Sequence, residues 1–138
     1  MRRALALVLP ILCALLAACA TQGKTRRALD QTLLDYATAV RWGGFEQALA
    51  FVDPAELAAH PPSRLDLERY RQVRVSYYHD QPVQITGENE AHKLVEIGIV
   101  NEHTLGERRL LDHQTWRWDA KAQRWWLTSG LPDITRHD

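Results

Sequence analysis

The sequence predicts an α+β domain in which N-terminal helices pack within a curved antiparallel sheet of four strands. Three observations lead to this prediction. Apolar residues recur with helical spacing over residues 25–41. From Tyr70 onward, apolar residues instead alternate with polar ones, as they do in half-exposed strands. Turn-forming residues then separate the strands, and helices followed by such a meander are typical of segregated α+β domains.

The first helix is expected over residues 25–41 and ends at Gly43-Gly44. Its apolar face carries Leu29, Leu33, Tyr36, Ala37 and Val40. Its other side carries Asp30, Gln31, Asp35 and Arg41. A second, short helix follows with Phe45, Ala48, Leu49 and Val52 on one side. A third helical segment is expected to begin at Asp53-Pro54. Asp53 can cap the helix, and Pro54 suits its first position.

The strands follow the break at residues 60–63. The first runs from Val73 to Tyr78 and resumes through Val83 and Ile85, with a bulge or an edge at Gln81-Pro82. The other three strands are expected at Leu94–His103, Arg108–Asp119 and Arg124–Thr128. Turns at residues 87–90, 106–107 and 120–123 connect them, and Val95, Ile97 and Ile99 should share one face.

Residues 1–18 are expected to be a secretory signal peptide. Two arginines precede an apolar run from Ala4 to Leu16, and small residues then lead to Cys19. The ending Leu16-Ala17-Ala18-Cys19 resembles the lipobox of bacterial lipoproteins, which implies that Cys19 is acylated and becomes the mature N-terminus. A plain secretory signal and an uncleaved anchor are the alternatives. Spanning a bilayer takes about 20 apolar residues, and this run is shorter and contains Pro10.

The lipoprotein resemblance also implies a cellular location. An Asp after the lipidated Cys favours retention in the inner membrane, but Ala20 stands there. We therefore expect an outer-membrane anchor facing the periplasm, with the inner membrane as the less favoured alternative. Residues 19–24 would be the lipidated Cys and a short tether. The five residues from Ala20 to Lys24 reach at most about 17 Å when extended, so the domain should lie close to the bilayer.

The mature chain is suited to one domain. Removing residues 1–18 from 138 leaves 120, of which we assign 25–132 to the domain and 133–138 to a C-terminal tail. Two of the 17 basic residues leave with the signal, so 15 basic residues face 17 acidic ones, and nucleic acid is not an expected partner. Cys13 also leaves and Cys19 would be lipidated. The domain therefore has no cysteine for a disulfide, a thiol nucleophile or a metal site.

The opening helix and the closing hairpin resemble the nuclear transport factor 2-like superfamily, whose members are cone-shaped, cystatin-like α+β domains. The resemblance covers about residues 25–132. It rests on the helix at 28–41, on Gly43-Gly44-Phe45 before the second helix, and on a hairpin of 114–118 with 124–132. The superfamily includes isomerases, dehydratases and polyketide cyclases as well as non-enzymatic binding domains. The resemblance therefore implies a fold and does not imply an activity.

The closing hairpin is rich in tryptophan. Folding it about its central turn sets Trp118 opposite Trp125 and Trp116 opposite Leu127 on one face, with Trp126 on the other face. We expect the first three tryptophans to lie in the core and Trp126 to be half exposed. An aromatic platform for a ligand such as a glycan is the alternative.

The six histidines do not form a recognisable metal motif. They are His60, His79, His92, His103, His113 and His137, and neither HxH nor HExxH spacing occurs among them. Zinc needs three or four ligands that converge on one point. We therefore expect the histidines at the surface or at strand ends, and we expect neither a metal nor another cofactor.

An isomerase- or dehydratase-type site would need a base in an apolar cavity with a proton donor facing it. The candidates are Tyr36, Tyr78, Asp112 and His113. Because Asp112 and His113 are neighbours on one strand, they should point to opposite faces and cannot act as a pair. We assign no catalytic residue, and we regard these four and Trp126 as candidate ligand-facing residues.

Together these features predict a membrane-anchored periplasmic lipoprotein that acts as a non-catalytic binding or assembly module. Its partners would be the bilayer, through acylated Cys19, and a periplasmic protein or a small ligand, while a homodimer is left open. The alternative is a small-molecule-binding or isomerase- or dehydratase-like enzyme that uses the cavity of the cone. A buried, polar-lined cavity with a carboxylate at its base would favour the enzyme. A filled cone with an exposed apolar patch would favour the binding module.

Overall fold

The computed structural model describes residues 21–135, so Cys19 and the signal segment lie outside the described residues. Helix α1 covers residues 21–38 and continues into a π-helical turn, Ala39–Gly43. The other helical segments are α2 (Phe45–Ala48), a 3-10 turn (Leu49–Phe51), α3 (Pro54–Ala59) and α4 (Arg64–Arg71). The strands are β1 (Val73–Asp80), β2 (Gln84–Ile85), β3 (Glu90–Asn101), β4 (Glu107–Asp119) and β5 (Arg124–Leu127).

The strands form one antiparallel sheet in the order β1-β3-β4-β5. The two-residue β2 pairs with the beginning of β3, on the same side as β1. The sheet curls strongly into a half-barrel, and α1 packs against it. The predicted α+β class and the curved antiparallel sheet are therefore confirmed, although the sheet also contains the short β2.

The apolar face predicted for α1 is confirmed. Leu29, Leu33, Tyr36 and Val40 are buried, whereas the polar residues on the opposite side are exposed. The ring of Tyr36 packs edge-on against the ring of Trp116, with centroids 5.2 Å apart, so α1 contacts the inner face of β4 directly. Ala37, which was expected on the same face, is only half-buried.

Helix α1 extends further toward the N-terminus than the sequence pattern predicted. Residues 21–24, expected to be a tether, are helical. The Thr25 hydroxyl donates a hydrogen bond to the Thr21 carbonyl oxygen one turn earlier (3.1 Å). The prediction was wrong because an apolar period cannot reveal a helical turn made of polar and small residues. Only Ala20 therefore separates Cys19 from the described helix.

Capping side chains define the next two helices. Asp53 accepts a hydrogen bond from the Ala55 amide (2.9 Å) at the start of α3, which confirms the predicted cap. Helix α4 was not predicted. It begins with a capping box in which Ser63 Oγ accepts from the Asp66 amide (3.1 Å) and Asp66 Oδ2 accepts from the Ser63 amide (3.0 Å). The Ser-x-x-Asp spacing was present in the sequence and could have revealed this helix.

Strand β3 begins and ends earlier than predicted. It starts at Glu90 rather than Leu94 because Ala91 pairs with Trp116 of β4, and this pairing extends the ladder through a polar stretch. It ends at Asn101 rather than His103 because Asn101 Oδ1 accepts hydrogen bonds from the amides of His103 (2.9 Å) and Thr104 (3.0 Å). The predicted inner row of Val95, Ile97 and Ile99 is buried, as expected.

The β4–β5 hairpin has the register predicted from the sequence. Trp116 pairs with Leu127 and Trp118 with Trp125, and the three tryptophans are buried. Trp126 points to the other face and is half-buried, with the Arg124 guanidinium 3.8 Å from the centre of its ring. The core interpretation of the three tryptophans is therefore confirmed.

The domain continues past the predicted boundary at residue 132. Ile134 is buried, and its carbonyl oxygen accepts a hydrogen bond from the guanidinium of Arg108 on β4. The assignment of 133–138 to a tail is therefore wrong for at least residues 133–134. Residues 136–138 lie outside the described residues. The burial of Ile134 was not predicted because a single apolar residue beyond the last strand has no periodic pattern.

Replacing the two adjacent tryptophans of β5 by phenylalanine should have very different effects. Trp125 is 2 % exposed and its Nε1 donates to the Thr25 carbonyl oxygen of α1 (3.0 Å). Trp125→Phe should therefore lower the free energy of unfolding by about 1–3 kcal/mol, through lost volume and a lost hydrogen bond. Trp126→Phe should change it by less than about 0.5 kcal/mol. Urea unfolding of both variants tests this, and equal losses would contradict the assignment of faces.

Candidate functional site

A row of polar side chains lies in the middle of the concave face of the sheet. On β4, residues at alternate positions from Leu110 to Trp118 point inward. Two members of this row are polar, and both are buried: Asp112 is 5 % exposed and Gln114 is 1 % exposed. Burying a carboxyl or amide group costs free energy unless hydrogen bonds compensate for the lost water, so both side chains need partners inside the domain.

Gln114 is the centre of a closed hydrogen-bond network, called here the Gln114 network. Its Nε2 donates to Asp112 Oδ2 (2.7 Å) and to the Tyr78 hydroxyl of β1 (3.1 Å). Its Oε1 accepts from Trp116 Nε1 (3.1 Å). The amide therefore uses both of its N–H donors and its oxygen within the domain. The network joins β1 to β4 across β3.

Burial shifts the titration of the ionisable groups in and around this network. It raises the pKa of Asp112 to about 6, although the hydrogen bond from Gln114 and the neighbouring His113 favour the charged form. Burial also raises the pKa of Tyr78 and of Tyr36, and the Asp112 charge adds to the rise in both. The pKa of Asp112 therefore lies closer to neutral pH than that of an exposed carboxyl, while both tyrosines remain protonated at neutral pH.

Tyr36 contributes a buried hydroxyl that lies outside the Gln114 network. It is fully buried, and among the described residues its hydroxyl has no hydrogen-bond partner. Its ring makes edge-on contacts with Phe51 (5.6 Å between centroids) and with Trp116 (5.2 Å). The ring thus fills the space between α1 and the sheet, whereas the hydroxyl is the least satisfied polar atom near the site.

Two surface clefts approach the network at residues 81–83, where the sheet is interrupted between β1 and β2. A cleft of about 490 Å³ includes Gln114 in its lining, and one of about 320 Å³ includes Tyr78. Lys93 lines both clefts, and its ammonium lies 2.6 Å from the carboxylate of Asp80. Asp112 lines neither cleft. Solvent therefore approaches the edges of the network, and the carboxyl group lies behind them.

The structure divides the five candidate ligand-facing residues between the two faces of the sheet. Tyr36, Tyr78 and Asp112 converge on the concave side. His113 is exposed on the outer side, where it lines the 490 Å³ cleft, and Trp126 also lies outside. The expected separation of Asp112 from His113 is confirmed. His113 and Trp126 therefore do not share a site with the other three, and whether any of the five contacts a ligand stays a prediction.

Sequence reasoning missed three residues of this region: Gln114, Lys93 and Asp80. Gln114 was detectable, because the alternation of β4 places it on the same face as Asp112 and Trp116. Lys93 was not, because a lysine in a strand normally faces solvent, whereas this side chain is 9 % exposed. Its burial depends on pairing with Asp80 of β1, which is a tertiary contact.

The described residues contain no group of three His, Cys, Asp or Glu side chains that could hold a metal ion. The described histidines instead make local contacts, such as His92 with Glu90 (2.9 Å) and His60 with Glu56 (2.9 Å). The expectation that the chain binds no metal stays a prediction, since His137 and Cys19 lie outside the described residues.

Comparisons with known proteins gave no match to a family model, to a curated protein or to a solved structure. Across residues 21–135, no helix has both the length and the apolar character that a membrane crossing requires. The function of the chain must therefore be inferred from its own residues and their geometry.

Asp112→Asn should change the free energy of unfolding, relative to wild type, more favourably at pH 8 than at pH 4. The folded pKa of Asp112 is about 6, above the unfolded value of about 3.9. The folded state therefore binds more protons between these values, so the contribution of Asp112 is fully favourable below about pH 4 and is lost as the pH rises through about 6.

Urea unfolding of wild type and variant from pH 4 to pH 8 measures this effect. The difference in unfolding free energy should move in favour of the variant by on the order of 1–3 kcal/mol as the pH rises. The carboxyls whose pKa is lowered, such as Asp53 and Asp66, are common to both proteins and cancel in the comparison. A difference that stays constant with pH would mean that Asp112 is not buried.

Proposed function

We propose that this chain is a lipid-anchored, non-catalytic binding module with a nuclear transport factor 2-like cone fold, attached to the outer membrane and facing the periplasm. The observation that supports this most is the filled interior. Tyr36, Phe45, Trp116 and Trp125 occupy the space between helices and sheet with at most 2 % exposure. A cone whose interior is occupied by its own side chains has to bind partners on its outer surface.

The Gln114 network supports a structural role for the interior polar groups. A substrate-binding amide or carboxyl needs an unused donor or acceptor that faces an accessible space. Gln114 has neither N–H left, and Asp112 lies behind the clefts that approach it. Closed networks of this kind stabilise one arrangement of a core, because any displaced member leaves a buried polar group without its partner.

The position of α1 fits an anchor at Cys19. The described helix starts two residues after Cys19, and two residues span at most about 7 Å. The same end of the domain carries the loop at 86–89 before β3 and the turn at 120–123 between β4 and β5. The Lys24 ammonium contacts Gln123 Oε1 (3.3 Å) at this end. If Cys19 is lipidated, these segments face the bilayer.

The exposed side of α1 is the partner surface that we propose. Leu34 is 61 % exposed, and Trp42, in the π-helical turn that ends α1, is 78 % exposed. Leu34 also lines the 320 Å³ cleft beside β1, together with Leu33, Ala37 and Val83. Asp30, Arg41 and Asp80 line the same cleft, as does Lys93, whose side chain is 9 % exposed. Apolar and charged side chains on one surface are typical of a site that binds a protein segment.

Cys19→Ala should move the protein from the membrane to the soluble fraction without unfolding it. Acylation needs the thiol, and two or more acyl chains anchor stably where a single chain does not. Fractionation after a high-salt wash, together with the intact mass of the wild type, measures this. Retention of the variant on membranes, or a wild-type mass without lipid, would contradict the anchor.

Leu34→Glu and Trp42→Glu should each abolish capture of the partner, whereas Leu105→Glu should not. Leu105 is a matched control, since it is 75 % exposed in the turn between β3 and β4 and does not line the 320 Å³ cleft. A photoreactive amino acid at residue 38, on the exposed side of α1, reports contact in intact cells. Crosslinks that both α1 variants abolish would support the surface, and a dimer-sized product would identify a second copy as the occupant. Equal crosslinking in all three variants would contradict the proposal.

A second candidate function is acid–base catalysis on a small molecule. The observation in its favour is Asp112, whose pKa of about 6 is suitable for proton transfer and which has two tyrosine hydroxyls nearby. A metabolite turnover screen on the soluble domain tests it. Turnover that Asp112→Asn abolishes, with unfolding unchanged or improved, would replace the non-catalytic proposal.

A further inference from the structure

A predominantly apolar cleft lies at the end of the domain where α1 begins. Its volume is about 630 Å³, which is within the range of small-molecule sites. Trp118 and Trp125 of the hairpin form part of its wall, with ring centroids 5.8 Å apart. Ile85 forms another part and is 46 % exposed. The cleft is called here the end cleft.

The beginning of the described chain belongs to the wall of the end cleft. Thr21 and Gln22, in the first turn of α1, line it. Cys19 precedes Thr21 by two residues, so its Cα lies within about 7 Å of the Cα of Thr21. Any group attached to Cys19 is therefore tethered within two residues of the cleft lining. This covalent constraint makes the local concentration of such a group very high.

The lining of the cleft favours a hydrocarbon. Ile85 offers exposed apolar surface, and the rings of Trp118 and Trp125 close the wall behind it. A chain that leaves the bilayer for this cleft therefore exchanges one apolar environment for another and is not transferred to water. The charged side chains on the lining are Arg26 and Glu88. The Arg26 guanidinium is directed to Asp30 on the same helix (3.5 Å), so it does not turn the cleft into an anion site.

We propose that the end cleft holds one acyl chain of lipidated Cys19. This inference rests on the lipidation in the proposed function and adds a specific place for one chain. The lipoprotein pattern implies three chains on Cys19, so one can leave the bilayer while two remain, and two chains suffice for stable anchoring. The bound chain holds the domain with the beginning of α1 facing the membrane. The proposed partner surface then extends away from the bilayer.

Photocrosslinking within the full-length, membrane-inserted protein tests this inference. The photoreactive amino acid p-benzoylphenylalanine replaces Ile85 in one protein and Leu105 in a control. After irradiation and digestion, mass spectrometry should find the peptide containing residue 85 joined to an acyl chain of the N-terminal Cys19 peptide. The same product should be lost when the probe is at residue 105, because that position lies at the other end of the sheet.

Every other outcome contradicts the inference, and the outcomes are distinguishable. A crosslink from residue 85 only to phospholipid would mean that this end lies on the bilayer with an unoccupied cleft. No crosslink to lipid, with an intact mass that shows acylated Cys19, would leave the anchor standing and refute the occupied cleft. An intact mass without lipid would refute the proposed anchor as well as the cleft.

A stability measurement keeps the test independent of crosslinking yield. In one detergent, the lipidated wild type should melt at a higher temperature than Cys19→Ser, because a bound chain stabilises only the folded state. Ile85→Asp should remove this upward shift, and its partial exposure means that the variant should still fold. An equal shift in the presence of Ile85→Asp would refute the role of the end cleft.

Discussion

The contact between the apolar face of α1 and the concave face of the sheet is the interaction on which the domain depends. Beyond Cys19 the sequence has no cysteine, so no disulfide can supplement this packing. Tyr36 meets Trp116, and Trp125 donates a hydrogen bond to the first turns of α1. The curl of the sheet brings the strands around one helix, and the buried side chains of α1 and of the sheet belong to one core cluster.

The Gln114 network lies inside this packing and gives the interior its particular chemistry. Its Asp112 carboxyl opposes stability when ionised, because burial raises its pKa to about 6. The hydrogen bond from Gln114 compensates part of that cost, and Gln114 is held in turn by Tyr78 and Trp116. Such a network fixes the relative positions of β1 and β4, because sliding either strand would leave several buried polar groups without partners.

The sequence predicted the parts of this structure that depend on periodicity. The face of α1, the inner row of β3 and the Trp118–Trp125 pair follow from spacing alone. The sequence did not predict the burial of Lys93 against Asp80, or the docking of Ile134 onto Arg108, because each depends on residues distant in the chain. Helix α4 differs from these cases, since its capping box was present in the sequence and was overlooked. Tyr36, Tyr78 and Asp112 were candidates from the sequence, but their convergence depends on how strongly the sheet curls, and no local pattern gives the extent of that curl.

The filled interior is the central claim, and the hydrogen exchange of the tryptophan indoles tests it most directly. Trp116 Nε1 donates to Gln114 inside the cone, while Trp42 is 78 % exposed and serves as an internal reference. Nuclear magnetic resonance resolves both indole protons in one sample. The account predicts that the Trp42 proton exchanges at once and that the Trp116 proton persists until the domain unfolds globally. Exchange of Trp116 on the timescale of Trp42 would show a cone open to solvent and would contradict a non-catalytic, filled interior.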